Sequence, residues 1–199
     1  MPEPVKVAVL ISGAGSNMAA LIDAAQAPDA AYEVVLVLSN KPDAGGLKIA
    51  EAKGVTNLAI DHRAFAKDRE AHERAVHASL TEAGVEVIAL AGYMRILTPF
   101  LVGAWAGRML NIHPSLLPLY PGLDTHARAI AAADAEAGCT VHIVTDGVDE
   151  GPVLGQARVP ILADDTPASL AERVHVAEHQ LYPVTLGRFC AGLRQPRPA

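Results

Sequence analysis

Val5-Lys-Val-Ala-Val-Leu-Ile-Ser12 runs straight into Gly13-Ala-Gly-Ser-Asn17, and these thirteen residues decide the fold. A nearly unbroken apolar run rich in Val marks a strand covered on both faces, the habit of a parallel sheet. Met18, Leu21, Ile22 and Ala25 then recur at helical spacing, which predicts a helix over 17–27. A strand, a tight glycine turn and a helix form the opening unit of an α/β domain.

The same alternation continues outward. Strands are predicted at Tyr32–Ser39, Asn57–Ile60, Val85–Ala91 and Met109–His113, with helices between them ending near Gly54 and Gly84. Thr98-Pro99 is read as the cap and first turn of a short helix, and another follows near Thr125–Ala133. Cys139–Thr145 and Val153–Ile161 are separated only by Asp146–Pro152, too few residues for a helical crossover. They must therefore form an antiparallel hairpin added to the parallel sheet. Thr166-Pro167 opens a last helix to about Cys190. The reading is one Rossmann-like α/β domain over 1–193, about seven mostly parallel strands with helices on both faces, and a frayed tail over 194–199.

Composition narrows the function. The 199 residues are 51% hydrophobic and 19% charged, too apolar for a disordered chain. A net charge of −6 offers no basic footprint for nucleic acid. No run approaches the roughly 20 apolar residues of a membrane span, and Val7–Ile11 is too short for a secretory signal. The pair Cys139 and Cys190 forms no disulfide framework or metal spacing, so a reducing, cytoplasmic setting is expected.

In a parallel sheet the C-terminal strand ends share one edge, and ligands gather there. The loops Gly13–Asn17, Gly92–Leu97 and Asn111–Gly122 should lie on that edge, joined by the hairpin bend Asp146–Glu150. The first loop lacks the third glycine of a dinucleotide fingerprint, since Met18 occupies that place, and no Gly-Lys-Ser/Thr follows. A phosphate cradle at the helix N-terminus and a plain tight turn both fit it. Asn111 and His113 close the fifth strand two residues apart, so both side chains project to one face. An amide donor beside an imidazole suits an oxyanion on a tetrahedral carbon, with Asp149 or Asp146 as the carboxylate partner of the ring.

Several features receive structural readings. The helix over 68–83, carrying Arg69, Glu70, Glu73, Arg74 and Glu82, is read as a solvated face. His62, His72 and His77 are read as surface, Phe100 and Trp105 as core, and His142 as orienting Asp149. His175-Val-Ala-Glu178-His179 matches an inverted zinc-protease pattern, but no second motif supplies a third ligand. Leu117-Pro118 lies in a loop of the kind that favours cis, whereas the base rate of about 5–6% favours trans. The segments 119–127 and 146–150 are expected to be mobile.

Ile11-Ser-Gly-Ala-Gly-Ser-Asn17, Ala91-Gly-Tyr-Met-Arg-Ile-Leu97, Leu110-Asn-Ile-His-Pro-Ser-Leu-Leu-Pro118 and Tyr120-Pro-Gly-Leu-Asp-Thr-His126 together resemble the phosphoribosylglycinamide formyltransferases. Gly138-Cys-Thr-Val-His142, Val148-Asp-Glu-Gly-Pro152 and Glu178-His-Gln-Leu-Tyr-Pro183 extend the resemblance to nearly the whole chain. It implies transfer of formyl from 10-formyltetrahydrofolate, a consumed co-substrate, to the amine of glycinamide ribonucleotide. No metal or tightly bound cofactor is implied, and the partners are small molecules rather than nucleic acid or membrane, acting on a monomer or weak homodimer. By matching motif, Asn111, His113 and Asp149 would be catalytic. Gly15, Ser16 and Asn17 would hold the phosphate, with His175, Val176, Ala177 and Glu178 facing the same substrate. Met94, Arg95, Ile96 and Leu97 would line the folate site with Asn111, Thr145, Asp146, Gly147, Val148 and Asp149, and Arg69 would reach the benzoylglutamate. Asp124 and His175 stand where the family often has His and Gln. Methionyl-tRNA formyltransferase and formyltetrahydrofolate hydrolase share the central motifs but carry a further domain. A phosphoribosyl-binding module without catalysis is the reading of another class.

Overall fold

Val5–Ile11 forms strand β1, and its side chains alternate between two hydrophobic layers. Val5, Val7, Val9 and Ile11 pack with Met18, Leu21, Tyr182 and Leu186 on one side of the sheet. Ala8 and Leu10 pack with Val76, Leu80, Leu101 and Trp105 on the other. All of these β1 apolar residues are fully buried. At about 1.5–3 kcal/mol for each large side chain withdrawn from water, this strand anchors the domain.

The computed structural model describes residues 3–195. Strand β1 is followed by α1 (Ser16–Ala25), β2 (Tyr32–Ser39), α2 (Gly45–Ala52), β3 (Asn57–Ala59), α3 (Arg69–Glu82) and β4 (Val87–Leu90). Then come α4 (Pro99–Ala104), β5 (Met109–His113), α5 (Thr125–Ala131), β6 (Glu136–Ile143), β7 (Val153–Pro160) and α6 (Pro167–Leu193). The seven strands lie in the order β3-β2-β1-β4-β5-β6-β7. The first five run parallel, while β6 is antiparallel to both β5 and β7. This is the Rossmann-like sheet with an appended hairpin that the loop lengths required. No helix among the described residues is long and apolar enough to cross a membrane.

Local departures from the sequence reading have identifiable causes. β6 begins at Glu136 rather than Cys139, because Gly138 pairs with Arg158 inside the ladder. A Cβ at Gly138 would fall 2.0 Å from the Ala157 carbonyl oxygen, so only glycine lets the strands meet there. A 3₁₀ turn over His62–Phe65, capped by Asp61, was not anticipated. Glu73 is buried, not solvated: it accepts from the Thr98 N–H at 2.8 Å and from the Thr98 hydroxyl. Thr98 therefore occupies the cap position of α4 without capping it, its hydroxyl being engaged by Glu73. His72 is likewise buried, with Nε2 on the Ile60 carbonyl at 3.0 Å. The Leu117-Pro118 bond is cis, against the base rate. Arg194 bonds to Glu86 and to the Glu3 carbonyl, so the tail expected from 194 has its first residue tied down, and 196–199 lie outside the described residues.

Candidate active site at the carboxyl edge of the sheet

The four loops singled out from sequence meet at one edge. Ser12, the residue after β1, links the first two: its N–H bonds the Gly92 carbonyl at 3.1 Å and its hydroxyl accepts from the Met94 N–H at 2.8 Å. The same hydroxyl donates to Asn40, which follows β2. Ser12 and Asn40 went unrecognised in the sequence, although both sit at strand tips on the ligand edge.

Within the first loop, Gly15 has φ +78°, and a Cβ there would lie 2.8 Å from the Gly46 Cα. Its glycine is thus demanded by the backbone of α2 as well as by any anion. Gly13 and Ser16 are exposed, and α1 begins with no side-chain cap, which leaves its first N–H groups free to meet a ligand. Asn17 is buried, and its amide donates to Glu178 at 2.8 Å while its own carbonyl oxygen lacks a partner.

Glu178 is aimed by α6. Tyr182, one turn further along the same helix face, is fully buried and donates its hydroxyl toward the Leu90 and Leu110 carbonyls at 3.1 and 3.2 Å. That contact pins the helix to β4 and β5. Burial raises the Glu178 carboxyl above its ordinary range, with Asn17 and His175 only partly offsetting it. His175 Nε2 lies 3.6 Å from Glu178, and its ring stacks on His179 with centroids 5.7 Å apart. Val176 is exposed. Among the described residues no three His, Cys, Asp or Glu side chains are grouped to share a metal ion.

At the centre, β5 presents Asn111 and His113, and β6 sets His142 directly opposite Asn111. Asp149 reaches in from the hairpin bend with a left-handed backbone, φ +56°. Its Oδ2 lies 3.3 Å from His113 Nδ1 and accepts from the Gly122 N–H at 2.9 Å. Its Oδ1 lies 3.6 Å from His142 Nε2. Burial alone would raise this carboxyl, but His142, the Gly122 N–H and His113 together pull it below the ordinary range. Of the two carboxylates considered from sequence, Asp149 is the one that meets the imidazole, and Asp146 lines the adjoining pocket. His142 Nε2 also lies 3.2 Å from the Asn111 amide, and its Nδ1 faces the Ile143 carbonyl at 3.0 Å. Asn111 and Asp149 therefore share one ring nitrogen.

His113 Nε2 faces the Tyr120 carbonyl at 3.0 Å. Both ring nitrogens thus confront acceptors, so a ring bearing two N–H groups satisfies both. The segment that follows is braced by Thr140, whose hydroxyl donates to the Ser115 carbonyl at 2.6 Å and accepts from the Leu117 N–H at 3.0 Å.

Beside this cluster lies a cavity of about 170 Å³, walled by Tyr93, Arg95–Leu97, Asn111, His142 and the run from Val144 to Asp149. Most of the predicted folate residues therefore share one wall system. Met94 does not: it is 65% exposed and outside the lining. Arg69 stands at the rim, donating to the Ile96 carbonyl at 3.3 Å. A roomier hollow of about 310 Å³ between Asp29–Ala31 and Arg194 is remote from the strand tips and holds no comparable constellation. Asp124 is exposed at the N-terminus of α5, with φ +57°.

Comparison with known proteins places nearly the whole chain beside formyl transferases. The chain is 45% identical over 186 residues to the phosphoribosylglycinamide formyltransferase of Escherichia coli (strain K12), covering 94% of this chain and 87% of that protein. It is 49% identical over 189 residues to the trifunctional purine biosynthetic protein adenosine-3 of Drosophila melanogaster, covering 94% of this chain but only 14% of that longer protein. The crystal structure of phosphoribosylglycinamide formyltransferase from Brucella melitensis superposes with a TM-score of 0.91 at 51% identity, over 99% of this chain and 100% of that one. That of glycinamide ribonucleotide transformylase 1 from Symbiobacterium toebii gives 0.93 at 41%, over 96% and 90%. The formyl transferase family itself matches residues 5–186, which hold all seven strands and every side chain of the cluster around Asp149, so the chain belongs to that family.

Proposed function

We propose that this protein transfers the formyl group of 10-formyltetrahydrofolate to the amine of glycinamide ribonucleotide, a step of purine biosynthesis. The observation that carries the reading is the meeting of Asn111, His113 and Asp149 beside the cavity under Arg95–Leu97. The ribose phosphate would lie on Gly15, Ser16 and Asn17, with the ribose against Glu178 and His175–Ala177 along its flank. The folate would fill the cavity between Arg95–Leu97 and Thr145–Asp149, with Met94 outside its wall and its glutamate end toward Arg69.

The amine attacks the formyl carbon, and negative charge collects on the formyl oxygen. The Asn111 amide and a His113 N–H donate to that oxygen, so His113 must exchange one present acceptor for it. Asp149 holds the imidazolium and a water that carries the proton from the attacking amine to the departing folate nitrogen. The formyl folate is spent as co-substrate, with no tightly bound cofactor. The reading includes a monomer or weak homodimer working in the cytoplasm.

The test is turnover with both substrates, followed by the absorbance of the released folate. Formylation of the ribonucleotide supports the reading. Tight binding of each ligand without product would reduce the protein to a binding module.

A further inference from the structure

The turn Tyr120-Pro121-Gly122 touches both halves of the His113–Asp149 pair. The Tyr120 carbonyl accepts from His113 Nε2 at 3.0 Å, and the Gly122 N–H donates to Asp149 Oδ2 at 2.9 Å. These are main-chain contacts, so what fixes the turn also fixes the angle between imidazole and carboxylate. The turn is not a relaxed conformation: Tyr120 has φ +53°, uncommon for a residue with a side chain. Such a backbone persists only where its surroundings hold it.

Its anchors lie away from the reacting centre. The Tyr120 hydroxyl donates to Asp134 Oδ2 at 2.6 Å, just beyond the end of α5. Arg128 of α5 lies over the Tyr120 ring, 5.2 Å from its centroid, and donates to the Pro121 and Leu123 carbonyls at 2.7 and 3.2 Å. Ser115 shares the Tyr120 carbonyl at 3.2 Å. Neither Asp134 nor Arg128 bonds to His113 or Asp149.

We infer that Asp134, acting through the Tyr120 hydroxyl, is a positioning residue for the His113–Asp149 pair, setting through the main chain of 120–122 where the imidazole stands. The kinetic part of this claim rests on the function proposed above; the geometric part does not. Without the Tyr120–Asp134 bond, the turn loses its only side-chain tether from the Tyr120 hydroxyl, while the ring and its Arg128 contact remain.

Tyr120→Phe and Asp134→Ala should each lower kcat on the order of tenfold, the usual scale for losing a hydrogen bond to a charged group, with both KM values within about twofold of wild type. Asp134→Asn, which keeps an acceptor, should restore most of the rate. Because the two groups act as one contact, the double variant should be no slower than either single variant. The second readout needs no substrate: side-chain ¹⁵N resonances of His113 should move in Tyr120→Phe and Asp134→Ala and return in Asp134→Asn. Additive losses, a kcat unchanged in both variants, or unshifted His113 resonances would overturn the inference. If the wild type forms no product, the functional reading falls and the resonances alone decide the positioning claim.

Discussion

Asp149 on the hairpin bend and Glu178 on α6 are both carboxylates withdrawn from water at the same edge of the sheet, and burial prevails at only one of them. Asp149 has two buried imidazoles and a main-chain N–H around it, at 3.3, 3.6 and 2.9 Å, and its pKa is lowered. Glu178 has one neutral amide at 2.8 Å and one imidazole at 3.6 Å whose ring is 58% exposed, and its pKa is raised. A partner that is itself in water is screened and gives little back against desolvation. The Asp149 side of the edge therefore favours a carboxylate anion. The Glu178 side keeps a carboxyl that gains by finding another partner.

The comparison breaks most visibly at Asp149. Asp149→Asn or His113→Ala should lower kcat about 10²–10³-fold, since about 3 kcal/mol of transition-state stabilisation rests on such a group, with ligand binding largely intact by calorimetry. Near-normal turnover in either variant would remove the assigned roles. The sign of the pH effect follows from the lowered pKa. Asp149 contributes stability that is complete above the ordinary carboxylate range, near pH 4, and is lost as pH falls through its depressed folded value. Thermal melts of wild type and Asp149→Asn should accordingly converge in acid.

Gly15→Ala probes the other side. With φ +78° and a Cβ 2.8 Å from the Gly46 Cα, it should cost about 2–3 kcal/mol in urea unfolding, and ribonucleotide KM should rise more than folate KM. Equal effects on both KM values would mean that the loop serves the fold alone. Thr140→Val, on the Asp149 side, strands the buried Leu117 N–H and should cost about 2 kcal/mol by the same assay. Its kcat should fall with stability, because the segment it braces, Ser115–Leu117, follows directly on His113.

The smallest effect has the opposite sign. The Glu178 native state keeps its proton to a higher pH than the unfolded chain, so stability declines as pH rises from the ordinary glutamate value through the raised one. Glu178→Gln, which can still accept from Asn17, should raise Tm at pH 7 by about 2–4 °C, roughly the effect of 1 kcal/mol at this size. The gain should vanish in acid. A lower Tm at neutral pH would show that Glu178 is better satisfied than its neighbours imply.

Much of this site was readable before any coordinates. Asn111 and His113 share a face because strand side chains alternate, and the short 146–152 link, by forcing a hairpin, offered Asp146 or Asp149 as their carboxylate, of which the structure brings Asp149 to the ring. The glycine loop announced itself by composition. What could not be read was the company each group keeps. Glu73 sits among charged neighbours on a helix that looks solvated, yet it reaches Thr98, 25 residues away. Nothing at Tyr120 signals that its carbonyl would occupy His113, since a main-chain acceptor leaves no mark in side-chain chemistry. Gly138 looks like a turn residue until the Ala157 carbonyl oxygen is found where its side chain would be.

By itself the sequence determined the order of strands and helices, the edge on which polar groups collect and the pair at the tip of β5. Those follow from periodicity and turn length, which act within about ten residues of chain. Only the tertiary structure decided that Asp149 is held as an anion and Glu178 is pressed toward neutrality. Charge state depends on dielectric and on neighbours delivered by distant segments, and those exist only once the sheet has closed its layers around them.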